Sequence, residues 1–402
     1  MKKVLFWKAD WFIGLLVAML FLFSANSDLV QSLERKAYDL GVRASSRAPS
    51  DKIAVIAIDD QSIANLGRWP WPREIQARML DILAAGHAKV VGNTSLFFEP
   101  QVDPGLEYIN KIGEFVEASS LKNSLDQAEV NQLRALLQEA SQHLDNDKKL
   151  SESMANAKDM LLAMYFELGE PQGKPDQPLP DYIQKNALTK IGNAGGAQPL
   201  PASGVIIPIP SLGSQAIAIG HLNVQSDVDG AIRTEPLVVQ YFDQYYPSLS
   251  LMLAAKSLNL EPKDIKVNLG AGVKVGNFSI ATDPALRMHT YFYSDRDGKP
   301  AFPVDSFYDV LTGKIPAEKY RDKIVLIGAT AAGVGTPQVT PITAGMAPVL
   351  TLAHSVSSIL KQDFFVEPSW GFWAESATFL AAALYLTLLL PRLSASIGAS
   401  IT

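Results

Sequence analysis

The sequence predicts an α/β protein with a mixed, partly parallel sheet flanked by helices, a helical insertion, and transmembrane α-helices. Two short, nearly continuous apolar runs, residues 52–60 and 323–328, are typical of strands buried on both faces. An amphipathic helix pattern follows the first run, which is the order of a parallel crossover. Two longer apolar segments, residues 11–28 and 370–391, lie near the ends of the chain and predict membrane helices.

The composition excludes several classes of protein. Of the 402 residues, 48% are hydrophobic and 19% are charged, and the charged share is below the roughly 25% usual for soluble domains. The net charge of −6 disfavours binding to nucleic acid, whose phosphates attract basic patches. The chain has no cysteine, which excludes disulfides, thiolate metal sites and a cysteine nucleophile.

The first apolar segment has two interpretations. Lysines precede it, and positive charge favours the cytoplasmic side, so we predict a cytoplasmic terminus over residues 1–10. We predict an uncleaved signal anchor over residues 11–28, continued outward by an amphipathic helix over residues 29–40. The alternative is a cleaved signal peptide, because Ala25-Asn26-Ser27 is an acceptable small-residue cleavage site.

The second apolar segment, at about 20 residues, is long enough to span a bilayer. Trp370 and Trp373 mark the interface at its start, and Arg392 follows its end, which favours a cytoplasmic exit. Residues 393–402 are apolar again and predict the start of a further membrane helix. Both ends then lie in the cytoplasm, and residues 29–369 form an exported domain.

The exported region begins with a β-loop-α-β order. The strand at residues 52–60 is followed by Gly67-Arg68-Trp69-Pro70-Trp71-Pro72, whose prolines forbid helix, and then by a helix from Pro72 to Gly86. A second strand is predicted at residues 89–98. Residues 105–158 carry apolar side chains at helical spacing, which predicts a helical insertion. It packs on its own domain or, alternatively, serves as a dimer contact.

The rest of the exported region predicts alternating strands and helices. Asp229-Gly230 between two apolar runs is a hairpin signal. The predicted elements are a strand at 160–166, a long loop at 169–210, hairpin strands at 216–224 and 232–242, a helix at 248–258, small strands within 267–280, a strand at 286–293, and helices at 304–311 and 349–360.

One acidic pair ends a buried strand. Asp59 and Asp60 lie where ligand-binding and catalytic carboxylates collect in α/β sheets. The alternative is a structural role, in which they cap the next helical turn or pair with Arg73.

Two further features have a functional and a structural interpretation. Asp227 and Asp229 hint at a calcium loop, but Ala231 occupies the position of the next ligand, which favours a plain turn. Trp69 and Trp71 lie among prolines and offer rigid apolar surface to a small ligand, or alternatively fill the core of their own domain.

No catalytic centre or metal site is predicted. None of the five histidines has the HExxH spacing of a zinc hydrolase, and no serine lies in a G-x-S-x-G elbow. The glycine-rich run after the strand at 323–328 has Val334 where a P-loop requires lysine. We therefore predict no cofactor and no bound metal.

Several motifs, taken together, resemble one family. They are Asp59-Asp60, Gly67-Arg68-Trp69-Pro70-Trp71-Pro72-Arg73, Phe98-Glu99-Pro100, Gly220-His221-Leu222-Asn223, Asp227-Val228-Asp229-Gly230 with Arg233, Pro247-Ser248, residues 323–331 and Thr340-Pro341. In these residues the sequence resembles the type-2 CHASE family, the extracellular sensory domains of bacterial receptors. The resemblance covers most of residues 30–369 and departs from the family at Thr94 and at residues 348–354.

The resemblance implies a periplasmic sensor of a bacterial inner-membrane receptor, with one membrane helix before it, about three after it, and a cytoplasmic output. The helical insertion is most similar to members with a Ser/Thr protein kinase; a nucleotide cyclase, a histidine kinase or a diguanylate cyclase is an alternative. The candidate ligand-binding residues are Asp59, Asp60, Trp69, Trp71, Arg73, His221, Asp227, Asp229 and Arg233.

We therefore predict the sensory and membrane part of a receptor. It binds an extracytoplasmic ligand or partner, forms a homodimer and binds no nucleic acid. Two other functions compete with this one. A membrane-anchored periplasmic hydrolase would centre on Asp59, Asp60 and Asp227, and an adhesion or scaffold protein would have no output.

Overall fold

The computed structural model describes residues 10–24, 27–101, 103–118, 127–173, 176–193, 198–295, 300–366 and 370–392. The chain divides into two compact units. One unit is Ser46–Phe365, and the other comprises the two terminal segments, which end at Ser45 and begin at Val366.

Helices and strands are numbered in chain order. The helices are α1 (Asp10–Ser24), α2 (Asp28–Ala44), α3 (Asp60–Leu66), α4 (Arg73–Ala85), α5 (Pro104–Ala118), α6 (Gln127–Leu144), α7 (Asn146–Ala157), α8 (Asp181–Gln184), α9 (Pro210–Gly213), α10 (Leu249–Ser257), α11 (Phe307–Leu311), α12 (Pro348–Lys361) and α13 (Gly371–Leu384). The strands are β1 (Ile53–Ile58), β2 (Val90–Asn93), β3 (Met160–Leu168), β4 (Lys190–Asn193), β5 (Leu200–Ile206), β6 (Ala218–His221), β7 (Thr234–Pro236), β8 (Val238–Tyr241), β9 (Gln244–Pro247), β10 (Ile265–Leu269), β11 (Gly272–Val275), β12 (Phe278–Ala281), β13 (Arg287–Thr290), β14 (Val304–Ser306), β15 (Ile324–Ala329) and β16 (Phe364–Phe365).

Six parallel strands form the centre of the larger unit, in the order β14-β1-β15-β2-β3-β6. β1 is buried at every position, as the continuous apolar run predicted. β1 and β2 are parallel, which confirms the crossover, although β15 lies between them. The second half of β3 pairs antiparallel with β5, and β8 and β9 extend the sheet from there.

Helices cover both faces of the parallel strands. Alternate side chains of β1 enter two separate cores, Ile53 and Val55 on one face and Ile56 and Ile58 on the other. The first core contains α10 and α12, and the second contains α4, α7 and α11. Burial on both faces explains why the strands read as continuous apolar runs rather than as alternating ones.

Two smaller sheets complete the mixed α/β architecture that the sequence predicted. One has the order β12-β11-β10-β4, with β10 and β4 parallel, and the other is the antiparallel set β16-β13-β7. The structure confirms the predicted small strands within 267–280, which are β10–β12. It also confirms the predicted helices at 248–258 and 349–360, which are α10 and α12.

Helices α5, α6 and α7 lie in the predicted helical insertion. α5 and α6 contact each other, and Arg134 Nε lies 2.6 Å from Glu117 Oε1 between them. α7 packs against α4 with Leu150 and Met154 buried in the second core. This helix therefore packs on its own domain. Residues 119–126 are outside the part of the chain that the structure describes.

Three local predictions are wrong. Residues 169–210 were predicted to be a loop but contain α8, β4, β5 and the start of α9, because β5 finds partners in β3 and β8. Residues 304–306 are not helical, since they form β14 beside β1. The strand predicted over 89–98 ends at Asn93.

The hairpin predicted around Asp229-Gly230 is also wrong. The turn exists, because the Gly230 N–H donates to the Asp227 carbonyl at 2.8 Å. The flanking strands separate after a single antiparallel bridge between Gln225 and Thr234. β6 then pairs with β3, and β7 pairs with β13. The hairpin in this region is formed by β8 and β9.

The terminal unit contains two apolar helices. Among the described residues, Gly371–Leu389 is long and apolar enough to cross a bilayer, and Phe12–Phe23 forms a shorter apolar helix. The two helices contact each other, and a Cβ atom on Gly14 would lie 2.4 Å from the Leu386 carbonyl oxygen. A glycine therefore permits this close approach, as small residues do between membrane helices. The predicted segments 1–9 and 393–402 lie outside the described residues.

Candidate ligand site at the carboxyl edge of the parallel strands

Two cavities open at the carboxyl ends of the parallel strands. The larger, of about 490 Å³, is lined by Trp69, Trp71 and Arg73 and is called the tryptophan cavity. The smaller, of about 200 Å³, is lined by His221 and Glu235 and is called the histidine cavity. The residues common to both cavities are Thr94 after β2, Ala329 at the end of β15, and Val334. This edge is where ligands bind in open α/β sheets.

The two tryptophans are fixed by their own loop. Trp71 Nε1 donates to the Gly67 carbonyl at 2.8 Å, and the rings of Trp69 and Trp71 meet edge to face with centroids 5.0 Å apart. Trp71 is buried against Phe307 in the second core, whereas Trp69 is half-buried. Trp71 thus fills the core, as one interpretation predicted, and both rings also line a cavity.

Arg73 is held on three sides. Its guanidinium pairs with Asp147, donates to the Glu99 carbonyl and lies 5.3 Å from the centroid of the Phe97 ring. The Asp147 carboxylate also accepts the Gln101 N–H at 3.0 Å. Arg73 therefore ties α4, α7 and the wall of the tryptophan cavity together. Its predicted pairing with Asp59 or Asp60 is wrong.

The histidine cavity contains polar groups that have no partner. His221 is 1% exposed, and neither ring nitrogen forms a hydrogen bond. Burial lowers the pKa of His221 to about 3, so the ring is neutral at physiological pH. The Thr351 hydroxyl and the Gln338 Oε1 atom line the same cavity and are likewise buried without a partner. Such groups cost free energy when they are left unpaired.

Glu235 is the acidic group of the histidine cavity. It is 8% exposed, and its Oε1 atom accepts from the Ser250 hydroxyl, while Oε2 has no partner. Burial is the main cause that raises the pKa of Glu235, which favours the neutral acid. The hydroxyls of Ser250, Ser355 and Ser248 lower this pKa but do not outweigh burial.

Close packing between β6 and α10 places His221 at the carboxyl edge of the parallel strands. A Cβ atom on Gly220 would lie 2.6 Å from the backbone of Leu249, so glycine lets α10 begin directly against β6. Ser248 caps α10 by accepting the Leu251 N–H at 3.2 Å. His221, the next residue after Gly220, is consequently buried beside the start of α10.

The carboxylates of the turn at Asp227–Gly230 pair with an arginine that follows the turn. The Arg233 guanidinium lies 2.6 Å from Asp227 Oδ2 and 2.9 Å from Asp229 Oδ2, and the Arg233 side chain is 6% exposed. The structure brings these three predicted site residues together, but they do not line either cavity. Across the part of the chain that is described, no cluster of acidic residues and histidines could hold a metal ion.

Asp59 and Asp60 differ in their surroundings. Asp59 is the N-cap residue of α3 and accepts from the Ser62 N–H and the Ser306 hydroxyl, both at 2.9 Å. Asp60 is exposed and accepts the Ala332 N–H at 3.3 Å. The capping interpretation of Asp59 therefore accounts for its contacts.

Sequence reasoning identified His221 but missed the other polar groups of its cavity. A signal existed for Glu235, because it is a lone carboxylate beside the apolar run Leu237-Val238-Val239. Thr351 and Gln338 gave no signal, since a threonine in a helix and a glutamine in a loop are ordinary. Only the packing of α12 and of the loop after β15 brings them to the same cavity.

The family model of the CHASE2 domain matches residues 13–390. The chain therefore belongs to the CHASE2 family, whose members are extracellular sensory domains of signalling receptors. Comparisons with curated proteins and with solved structures give no significant match.

Proposed function

We propose that the chain is the sensory input and membrane part of a bacterial transmembrane receptor, which binds a stimulus at the carboxyl edge of its parallel strands. The observation that carries this proposal is the histidine cavity, where buried polar groups without partners surround a space in a domain of a sensory family. A ligand that supplied the missing hydrogen bonds would favour one state of the domain, as signalling requires.

The proposed topology follows from the sequence. Residues 1–10 are cytoplasmic, residues 11–28 and 370–391 cross the inner membrane, and residues 29–369 are periplasmic. The apolar helices α1 and α13 support this assignment by length and composition. Residues 393–402 begin a further membrane helix.

The proposed output is a cytoplasmic Ser/Thr protein kinase, with a nucleotide cyclase or a histidine kinase as the alternatives. The helical insertion supports the kinase, by resemblance alone. The coding sequence downstream of residue 402 tests this directly. A kinase glycine-rich loop supports the proposal, and a cyclase core contradicts it.

A homodimer is the proposed assembly. Tyr108, Ile112 and Phe115 on α5 are between 48% and 68% exposed and recur at helical spacing, which supports the alternative use of the insertion as a dimer contact. A periplasmic hydrolase is less favoured, because Asp59 caps a helix and Asp227 pairs with Arg233.

The sensory role is tested by filling the shared wall of the two cavities. In full-length receptor in membrane vesicles, Ala329→Phe should change phosphorylation of the receptor several-fold, because the ring enters both cavities. Ala332→Phe is the matched control, since Ala332 is exposed three residues later. Equal phosphorylation by the wild type and both variants would contradict a sensory role for this edge.

A further inference from the structure

The histidine cavity has a definite chemical character. His221, Thr351 and Glu235 are 1%, 5% and 8% exposed, respectively, and each has a polar atom without a partner. None of the described residues that line the cavity is a lysine or an arginine. The cavity therefore offers hydrogen-bond acceptors and one acidic group, without a cationic side chain to attract an anion.

The size of the cavity limits the ligand. Its volume is about 200 Å³, and engineered apolar cavities of about 150 Å³ bind benzene, so a molecule of about six to ten non-hydrogen atoms fits. Apolar side chains such as Leu222, Val349 and Leu352 form much of the lining. The ligand thus combines a small apolar body with a polar head.

We propose, building on the sensory function proposed above, that the histidine cavity binds a small organic amine whose ammonium group pairs with Glu235. An ammonium group has three N–H donors and no acceptor. The unpartnered Glu235 Oε2, the Thr351 hydroxyl and the acceptor nitrogen of neutral His221 are suitable partners for those donors. The hydroxyls of Ser248, Ser250 and Ser355 support the ionised form of Glu235 once a cation is present.

The start of α12 also borders the cavity, through Pro348 and Val349. A helix N-terminus favours negative charge, so a carboxylate is the competing ligand class. The lining opposes a carboxylate, because an anion would enter a low-dielectric space that has no lysine or arginine among its described residues to compensate the charge. Size-matched carboxylates are consequently one arm of the test.

The test uses the purified chain in detergent and three series of probes with the same carbon skeletons. These are primary amines from ethylamine to phenethylamine, the corresponding alcohols, and the corresponding carboxylates. At about 100 times its dissociation constant, the best amine should raise the Tm by about 3–5 °C, and calorimetry should give one site. The alcohols and carboxylates should not shift the Tm.

Two variants locate the site. Glu235→Gln keeps the size of the side chain and removes its charge, so amine affinity should fall at least about 30-fold. Thr351→Val removes one acceptor and should weaken binding about 2- to 10-fold. Glu152→Gln, at an exposed position on α7, should bind as the wild type does. If Glu235→Gln does not fold, Thr351→Val still locates the site.

Three results overturn the proposal. The first is that no amine shifts the Tm. The second is that a carboxylate or an alcohol binds more tightly than the amine with the same carbon skeleton. The third is that Glu235→Gln binds the amine with unchanged affinity. None of these results bears on topology or output, so the sensory function proposed above can fail separately.

Discussion

At the scale of single residues, burial decides which polar side chains are structural and which are available. Arg73 and Arg233 are both buried, and each is matched by carboxylates, so they stabilise the edge and are not free to bind a ligand. His221 is equally buried but unmatched. Sequence motifs alone do not separate these cases, because the partner of Arg73 lies 74 positions away in a helix of the insertion.

The Arg73–Asp147 pair should be a strong contributor to stability. Arg73→Met leaves the Asp147 carboxylate, whose side chain is only 15% exposed, without its cation, and we expect a loss of about 3–5 kcal/mol in the free energy of unfolding. Lys149→Met is the control, because Lys149 and Glu74 join the same two helices at 2.9 Å but are more exposed, and its loss should stay below about 1 kcal/mol. Urea denaturation of both variants measures the two losses in unfolding free energy. Equal losses would contradict the prediction that the Arg73–Asp147 pair stabilises the fold more than the exposed pair does.

The buried histidine of α12 should make stability depend on pH. His354 accepts the Tyr293 N–H at 3.1 Å through Nδ1, and burial lowers the pKa of His354 to about 3. The unfolded chain takes up this proton near pH 6.5, so the stabilising contribution is complete above that pH and falls as the pH drops towards 3. Between pH 7 and pH 5, the fall is about 2 kcal/mol.

The variant His354→Asn, which keeps an acceptor for Tyr293, isolates this effect. Its unfolding free energy should fall by about 2 kcal/mol less than that of the wild type between pH 7 and pH 5. Burial raises the pKa of Asp159 to about 6, so this residue makes the folded state more stable as the pH falls. Its effect is the same in the wild type and in the variant, and it therefore cancels when the two pH profiles are compared. Parallel pH profiles would contradict a neutral, buried His354.

At the scale of elements, the sequence predicted most strands and helices but not their neighbours. β1, β15, α4 and α12 were found because apolar runs and helical periodicity are local signals. The insertion of β15 between β1 and β2 and the strand β5 within a Pro- and Gly-rich segment depend on pairing with distant residues. The candidate site was predicted in part for the same reason, since Glu235 and Thr351 meet His221 only after α12 packs.

A glycine pair tests how closely the elements of the edge are packed. Gly220→Ala places a Cβ atom 2.6 Å from the Leu249 backbone, and we expect a loss of at least about 2 kcal/mol. Gly113→Ala, in helix α5 with no atom within 4 Å of the added Cβ, should instead gain up to about 1 kcal/mol. Thermal unfolding of both variants provides the measurement, and a neutral Gly220→Ala would show that α10 can move away from β6.

At the scale of the whole molecule, the chain combines a domain of a sensory family with two apolar helices that we propose to cross the membrane. The CHASE2 match over residues 13–390 includes most of α1 and all of α13. A domain that detects an external stimulus must face away from the cytoplasm, whichever ligand occupies its cavities. The orientation of residues 29–369 therefore decides whether the sensory proposal can hold.

The chain has no cysteine, so a single introduced thiol reports the orientation without background. Asp243→Cys lies in the exposed turn between β8 and β9, and Lys3→Cys provides a cytoplasmic reference. In spheroplasts, a membrane-impermeant maleimide should label Asp243→Cys as fully as after permeabilisation and should label Lys3→Cys only after permeabilisation. Labelling of Asp243→Cys only after permeabilisation would place the domain in the cytoplasm and contradict the sensory proposal.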